Sequence, residues 1–206
     1  MAPGEPETLS PRDRRLVRLC AGITRGAWEE VRQVRREAPE GEPDRAWREA
    51  VLQTHLFCGF PRVVEALAVL EDEGGLGAPE PPEVLDDEER LRRGRALFGR
   101  IYADRAGELE RALERRLPEF ASWILGHAYG RVLGRPGLDP GTRELLAVVC
   151  LAVQRNQDRQ LAGHLRGALR CGASPAALRA TFELVQPLLE SGRHRQLLRW
   201  LESASA

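Results

Sequence analysis

The stretch QDRQLAGHLRGALRCG, residues 157–172, decides the fold. Its apolar residues recur with the spacing of one helix face, as Leu161 and Leu165 illustrate. Gly172 follows the last of them and is suited to end a helix in the left-handed conformation. We therefore expect one amphipathic helix here, with its only histidine, His164, near the middle.

Helix-start signals recur along the chain. Each combines a capping side chain with a proline at the first helical position, and they occur at Ser10-Pro11, Asp139-Pro140 and Ser174-Pro175. No run of residues alternates between apolar and polar as a half-buried strand would. Residues 73–87, rich in glycine and proline, break the helical pattern most strongly. These signals predict an all-α fold.

The composition excludes several function classes. The 206-residue chain carries 31 lysine and arginine residues against 31 aspartate and glutamate residues, so no net charge favours nucleic acid or an anionic membrane as partner. All the basic residues are arginine, which excludes lysine Schiff-base chemistry. No apolar stretch reaches membrane-spanning length, and the first residues lack the apolar core of a secretion signal. We therefore expect a cytoplasmic protein.

The four cysteines are expected to be small buried residues rather than ligands or redox centres. Cys20, Cys58, Cys150 and Cys171 are scattered, and none belongs to a CxxC pair or to a Cys/His spacing typical of zinc. No metal site is predicted.

Two helix starts resemble each other. Residues 9–16 (LSPRDRRL) and residues 138–145 (LDPGTREL) are identical at four positions: the first leucine, the proline, the arginine at Arg14 and Arg143, and the final leucine. Each copy opens a helix that is followed by further helical segments. The similarity is consistent with an internal duplication and also with ordinary helix-start chemistry.

A series of short motifs between residues 119 and 174 carries a family resemblance. In chain order they are Tyr129-Gly130-x-Val132, Arg135-Pro136-Gly137-Leu138, Thr142-Arg143-x-Leu145, Leu161-x-x-His164-Leu165-Arg166-x-Ala168-Leu169 and Gly172-Ala173-Ser174. In order and spacing they resemble the carboxymuconolactone decarboxylase family, whose wider superfamily includes the alkylhydroperoxidase D-like proteins. The resemblance implies a helical bundle, no cofactor, an active-site role for His164, and homo-oligomers such as trimers or hexamer-like rings.

A second family motif stands in the other half of the chain. The family normally follows the histidine helix with a segment of the type E-x-x-L-Q/H and an aromatic-glycine-proline turn, which residues 182–192 lack. Residues 49–61 of the first half carry it instead, without a histidine motif of their own. We therefore predict a duplicated chain with an N-terminal degenerate repeat (1–72), a linker (73–87) and a C-terminal family domain (88–206).

Two chemistries of the superfamily can be compared with the residues present. The redox branch uses a CxxC just before the histidine, and Gln157 and Gln160 stand at those positions here, so a dithiol peroxidase lacks its nucleophile. A decarboxylase needs no cysteine, because loss of CO2 leaves a dienolate that a histidine can protonate. His164 is therefore the predicted general acid/base, with Glu144 as the partner that orients its ring.

Four further residues are predicted to contact a small anionic substrate. Arg135 and Arg143 lie in family motifs and could hold a carboxylate through paired hydrogen bonds. Gln53 and His55 would come from the first half and complete a composite site with His164. A structural alternative stays open for Arg143, which could tie the start of its helix to a neighbouring carboxylate.

Gly163 and Gly167 flank His164, although glycine within a helix costs roughly 1 kcal/mol relative to alanine. Close helix packing and room for a ligand both explain them, and packing is the favoured explanation. As a whole the sequence predicts a cofactor-free lyase or related enzyme acting on a small anionic lactone or carboxylate. The alternative is a non-catalytic protein that keeps the fold for assembly or ligand binding.

Overall fold

The computed structural model describes residues 8–79, 81–154 and 157–205, and the predicted all-α fold is confirmed in them. The helices are α1 (Pro11–Arg25), α2 (Trp28–Arg36), α3 (Arg45–Asp72), α4 (Asp87–Tyr102), α5 (Ala106–Arg116), α6 (Pro118–Trp123), α7 (Pro140–Ala152), α8 (Asp158–Cys171), α9 (Pro175–Val185) and α10 (Arg193–Ser205). Short 3-10 turns cover Ala103–Arg105 and Gln186–Leu188, and α6 continues into a π-helical segment, Ile124–Leu133. None of the described helices is long and apolar enough to cross a membrane.

The predicted helix boundaries are confirmed by their caps. The side chains of Ser10, Asp139 and Ser174 each accept a hydrogen bond from a backbone N–H of the first turn, at 3.1, 3.0 and 3.0 Å. Gly172 ends α8 with a φ of 106°, a left-handed conformation that glycine adopts without strain. The caps satisfy backbone groups that the helix ends would otherwise leave unpaired.

α3 bends where its sequence carries Gly59 and Pro61. Gly59 has a φ of 81° and a ψ of 162°, so the two parts of α3 run in different directions. After α3 ends, non-helical chain leads to α4, whose first turn is fixed by reciprocal hydrogen bonds between Asp86 and Glu89. The described residues between these helices, 73–79 and 81–86, fall within the break predicted for residues 73–87, and Asp87 already begins α4.

The two halves of the chain share one hydrophobic core. It includes Leu16 and the fully buried Trp47 from the first half and Phe182 from the second. α1 packs against α7, so the two similar helix starts lie in neighbouring helices. Arg14 is exposed, however, whereas Arg143 at the corresponding position of α7 is buried. The internal duplication and the division into domains stay predictions.

α4 and the π-helical segment touch each other backbone to backbone. A Cβ atom on Gly94 would lie 1.9 Å from a carbonyl oxygen of the π-helical segment, and one on Gly130 would lie 2.1 Å from a carbonyl oxygen of α4. Any larger residue would push the two helices apart. The close crossing fixes the relative positions of Tyr102, at the end of α4, and Tyr129, in the π-helical segment.

Candidate active site

α8 turns His164 toward the interior of the bundle, where the residue is 6% exposed. Its Nδ1 lies 2.9 Å from Oε2 of Glu144, a residue of α7 that is 1% exposed. Because the carboxylate accepts the proton on Nδ1, the neutral imidazole keeps its lone pair on Nε2. The structure thus brings the two residues predicted to be catalytic together, and no described residue hydrogen-bonds Nε2.

Glu144 depends on His164 for its side-chain hydrogen bond. Its second oxygen, Oε1, is buried and has no hydrogen-bond partner among the described residues. A buried carboxylate with one partner holds that partner firmly, because its loss would leave both oxygens unsatisfied. Glu144 is therefore suited to fix the imidazole ring and to stabilise the positive charge that the ring gains on protonation.

The surroundings of the two glycines in the histidine helix favour the close-packing explanation, most clearly at Gly167, while Gly163 also lines the cleft. A Cβ atom on Gly167 would lie 2.6 Å from Oε2 of Glu144 and 2.7 Å from Cγ2 of Ile101. A Cβ atom on Gly163 would lie 3.3 Å from the ring of Tyr102. Because Gly167 has no side chain, the carboxylate of Glu144 has room to reach His164. A larger residue at this position would occupy the space of that carboxylate.

His164 lies in the wall of an open cleft of about 710 Å³. The ring of Phe57 meets the imidazole edge-on with 5.9 Å between centroids, and the ring of Tyr102 lies at 6.4 Å. The hydroxyl groups of Tyr102 and Tyr129 are 3.0 Å apart, and burial raises the pKa of both phenols. Both therefore stay protonated near neutral pH; one hydroxyl donates to the other, and the hydroxyl that accepts keeps its own proton to donate to a ligand.

Three of the residues predicted to bind substrate form an internal network instead. Arg143, 1% exposed, donates from Nη2 to Oε2 of Glu49 at 2.8 Å and from Nη1 to Oε1 of Gln53 at 3.2 Å. Arg135 donates from Nε to the same carboxylate at 2.9 Å. None of the three is among the described residues that line the cleft of His164. The Glu49 carboxylate is shared by the two guanidinium groups, and this geometry favours the structural role considered for Arg143.

His55, the fourth predicted contact, also lies outside the lining of that cleft. Its Nε2 is 2.9 Å from Nε2 of His127, which joins α3 to the π-helical segment. The pKa of His127 is lowered, chiefly by burial and then by the nearby His55 and Arg131. The segment 53–61 nevertheless contributes to the cleft through Leu56 and Phe57, the residues that follow His55.

Thiol chemistry has no support at this site. Burial raises the pKa of Cys58 and Cys171 to about 11, and Cys20 and Cys150 are fully buried, as expected from their scattered positions. Gln157 and Gln160 line the cleft where a redox relative would carry its cysteine pair. In the part of the chain that the structure describes, no group of three or more His, Cys, Asp or Glu side chains could hold a metal ion.

Comparison with known sequences agrees with the histidine motif and its surroundings. Residues 118–203 match the sequence profile described as the carboxymuconolactone decarboxylase family. The matched region includes Glu144, His164 and the π-helical segment, whereas the cleft walls formed by α3, α4 and α5 precede it.

A second similarity, to a single known protein, extends beyond residues 118–203. The chain is 28% identical over 131 residues to Peroxisomal protein 2 of Schizosaccharomyces pombe (strain 972 / ATCC 24843), a match that covers 62% of this chain. The matched region spans 61% of the length of that relative.

Most of the side chains that line the cleft around His164 could not be predicted from the sequence. Phe57 belongs to the motif segment 49–61, of which only Gln53 and His55 were predicted to contact substrate, and no local pattern indicates that Tyr102 of α4 faces His164. Arg166 and Tyr129 do lie within family motifs, yet neither position indicates a role by itself. Each of the two residues directly precedes a motif glycine, Gly167 or Gly130, at which helices approach closely. That neighbouring glycine was the one signal in the sequence that could have indicated them.

Proposed function

We propose that this chain is a cofactor-free enzyme that transfers a proton at an anionic lactone or carboxylate. His164 is the general acid/base, and Glu144 is the positioning residue that holds its ring. The observation that carries the proposal is the hydrogen bond of 2.9 Å between Nδ1 of His164 and Glu144, made at the wall of a cleft that can admit a ligand. The match of residues 118–203 to the carboxymuconolactone decarboxylase family supports a lyase reaction of this kind.

Decarboxylation would use these groups in a simple order. The carbon–carbon bond to the carboxylate breaks, CO2 leaves, and the electron pair stays on the substrate as a dienolate. The protonated Nε2 of His164 then donates its proton to carbon, while Glu144 stabilises the imidazolium until that step. The hydroxyl of Tyr102 is suited to donate a hydrogen bond to the dienolate oxygen. A proton from solvent restores the imidazolium.

A panel of lactone carboxylates tests the proposal through CO2 release or uptake of solvent deuterium at carbon. His164→Gln should lower kcat by about 10²–10⁴-fold, because it removes the acid/base group. Glu144→Gln should lower kcat by about 10–100-fold and leave KM unchanged, because it acts only through the orientation of the ring. His194→Gln, outside the cleft, is the matched control. Wild-type turnover by His164→Gln would contradict the proposal.

The non-catalytic alternative has an observation in its favour, which is a set of exposed apolar side chains. Phe60 and Val64 on α3 are 67% and 63% exposed, and Phe120 and Trp123 on α6 are 47% and 65% exposed. We propose that copies of the chain cover these side chains in a homo-oligomer of the trimeric or hexameric type. Light scattering should show the assembly, and Phe60→Asp with Trp123→Asp should dissociate it. A monomer in the wild type would contradict it.

The proposed compartment is the cytoplasm. The name of the Schizosaccharomyces pombe relative associates that protein with the peroxisome, so the peroxisome is the second candidate compartment. Imaging of the tagged full chain, with tags placed at either end in separate experiments, distinguishes the two.

A further inference from the structure

α5 carries an apolar stripe, yet none of its residues is fully buried. Leu109, Ala112 and Leu113 lie on one face by their helical spacing, and all three line the cleft of His164. A surface helix ordinarily packs such a stripe onto the protein core. In α5 only Leu109 of this stripe packs against the buried cluster that includes Phe98 and Tyr129, and the whole stripe faces the space in front of the histidine, so this wall of the cleft is apolar.

The opposite walls are apolar as well. α3 contributes Leu56 and Phe57, and further lining residues come from α4, the π-helical segment and α7: Phe98, Ile124, Ala128, Leu133 and Leu151. A cleft of about 710 Å³ is in the range of sites that enclose ligands of drug-like size. A small polar lactone would leave most of these apolar side chains in contact with water.

The charges around the cleft have one sign. Arg105, Arg116, Arg159 and Arg166 line it, and no aspartate or glutamate is among the described lining residues. None of these arginines forms an ion pair with a described carboxylate, in a chain whose acidic and basic residues are equal in number. Such a concentration of unpaired guanidinium groups favours an anionic ligand and disfavours a cationic one.

We infer that the ligand of this site is a carboxylate attached to an extended hydrophobic body, such as a medium-length aliphatic chain. Arg159 and Arg166, on the same helix as His164, bind the carboxylate end, and the hydrophobic body lies against the apolar stripe of α5. The inference rests on the proposed function only in placing the reacting end of the ligand beside His164. It replaces the small lactone with an amphipathic anion.

Binding of a homologous series tests this assignment with the full-length chain. Butyrate, hexanoate, octanoate and decanoate, together with uncharged decanol, are titrated by calorimetry. Affinity should increase by about two- to four-fold for each added methylene, because each one buries apolar surface in the cleft. Decanol should bind at least ten-fold more weakly than decanoate, because the arginines contribute nothing to a neutral head group.

Two pairs of variants localise the binding. Arg166→Gln should weaken decanoate binding about ten-fold, whereas Arg199→Gln, on the exposed surface of α10 outside the cleft, should not. Leu113→Asn should flatten the dependence on chain length, whereas Leu117→Asn, an exposed leucine that does not line the cleft, should preserve it. Because neither Leu113 nor Leu117 is buried, thermal unfolding should show both variants folded.

The possible results separate this inference from the proposed function. Decanoate that binds no more tightly than butyrate, or no more tightly than decanol, overturns the inference even if a small lactone is turned over. Chain-length-dependent binding that persists in His164→Gln, without turnover of any carboxylate by the wild type, overturns the proposed catalysis and leaves the inference standing. Self-association that competes with decanoate would show that a second copy occupies the cleft and would also overturn the inference.

Discussion

Arg143 and Glu144 are neighbours in the sequence of α7, yet they enter two polar sites of opposite character. The guanidinium of Arg143 is saturated, since it donates to Glu49, to Gln53 and to the backbone carbonyls of Arg135 and Pro136. The carboxylate of Glu144 has one oxygen paired with His164 and one without a partner among the described residues. The saturated site joins helices, and the unsaturated site opens onto a cleft.

This difference shows how to separate structural from functional polar groups in this molecule. Burial alone does not distinguish them, because Arg143 and Glu144 are both 1% exposed. What differs is whether every side-chain nitrogen or oxygen has a hydrogen-bond partner among the described residues. A network without spare capacity cannot bind a further ligand unless it loses an existing bond.

The largest effect is expected from removing the carboxylate of each site in turn. Glu49→Ala should lower the free energy of unfolding by about 3–5 kcal/mol, because Arg143 is left as a buried unpaired cation. Glu144→Ala should cost only about 1–3 kcal/mol, because it leaves one ring nitrogen of His164 without its hydrogen-bond partner. Chemical denaturation measures both. Equal losses would show that the two sites do not differ in the way described.

The exposed pair of Arg95 and Glu110 provides the reference for that experiment. Its side chains are 53% and 22% exposed, and solvent screens the interaction. Glu110→Ala should therefore change the free energy of unfolding by about 0–1 kcal/mol.

The contact between Gly167 and Glu144 predicts an intermediate effect. Gly167→Ala should lower the free energy of unfolding by about 1–3 kcal/mol and reduce the activity attributed to His164, because the new methyl group occupies the space of the carboxylate. Gly99→Ala is the matched control: a Cβ atom there meets no atom within 4 Å, so the variant should gain up to about 1 kcal/mol. Losses of similar size in both variants would contradict the role of Gly167.

The smallest effect concerns His127 and its dependence on pH. Its pKa is lowered in the folded protein, so the unfolded chain takes up a proton at a higher pH than the folded one. The stability that the neutral ring provides is present above about pH 6.5 and is lost as the pH falls through the folded-state pKa. His127→Gln should therefore lose less stability than the wild type between about pH 7.5 and about pH 5.5. Parallel declines in denaturation experiments would refute this.

Local chemistry made much of the fold predictable. Each helix end of this kind is set by hydrogen bonds within a few residues of the cap, so the nearby sequence is sufficient to predict it. The caps are Ser10, Asp139 and Ser174 at helix starts and Gly172 at a helix end. His164 and Glu144 could also be paired in advance, because a family motif marked the histidine and only the next helix back had to supply the carboxylate.

The remainder of the site depends on contacts between distant parts of the chain. Arg143 could be read as an anion-binding residue until its partner Glu49, from another helix, was known to neutralise it. α5 shows the same limit, since its amphipathic pattern predicts a helix but not what its apolar face contacts. Only the packing of α4 against the π-helical segment places Tyr102 and Tyr129 together and leaves α5 over the cleft.

The weak anchoring of α5 has a consequence for proteolysis and amide hydrogen exchange. A helix without a fully buried residue can unfold locally at a small fraction of the global free energy of unfolding, so its amides should exchange early while those of α7 stay protected. Trypsin should accordingly cut first at arginines such as Arg111 and Arg115, and leave the core intact. Early exchange confined to α5 would indicate that one wall of the cleft opens while the histidine and its carboxylate stay in place.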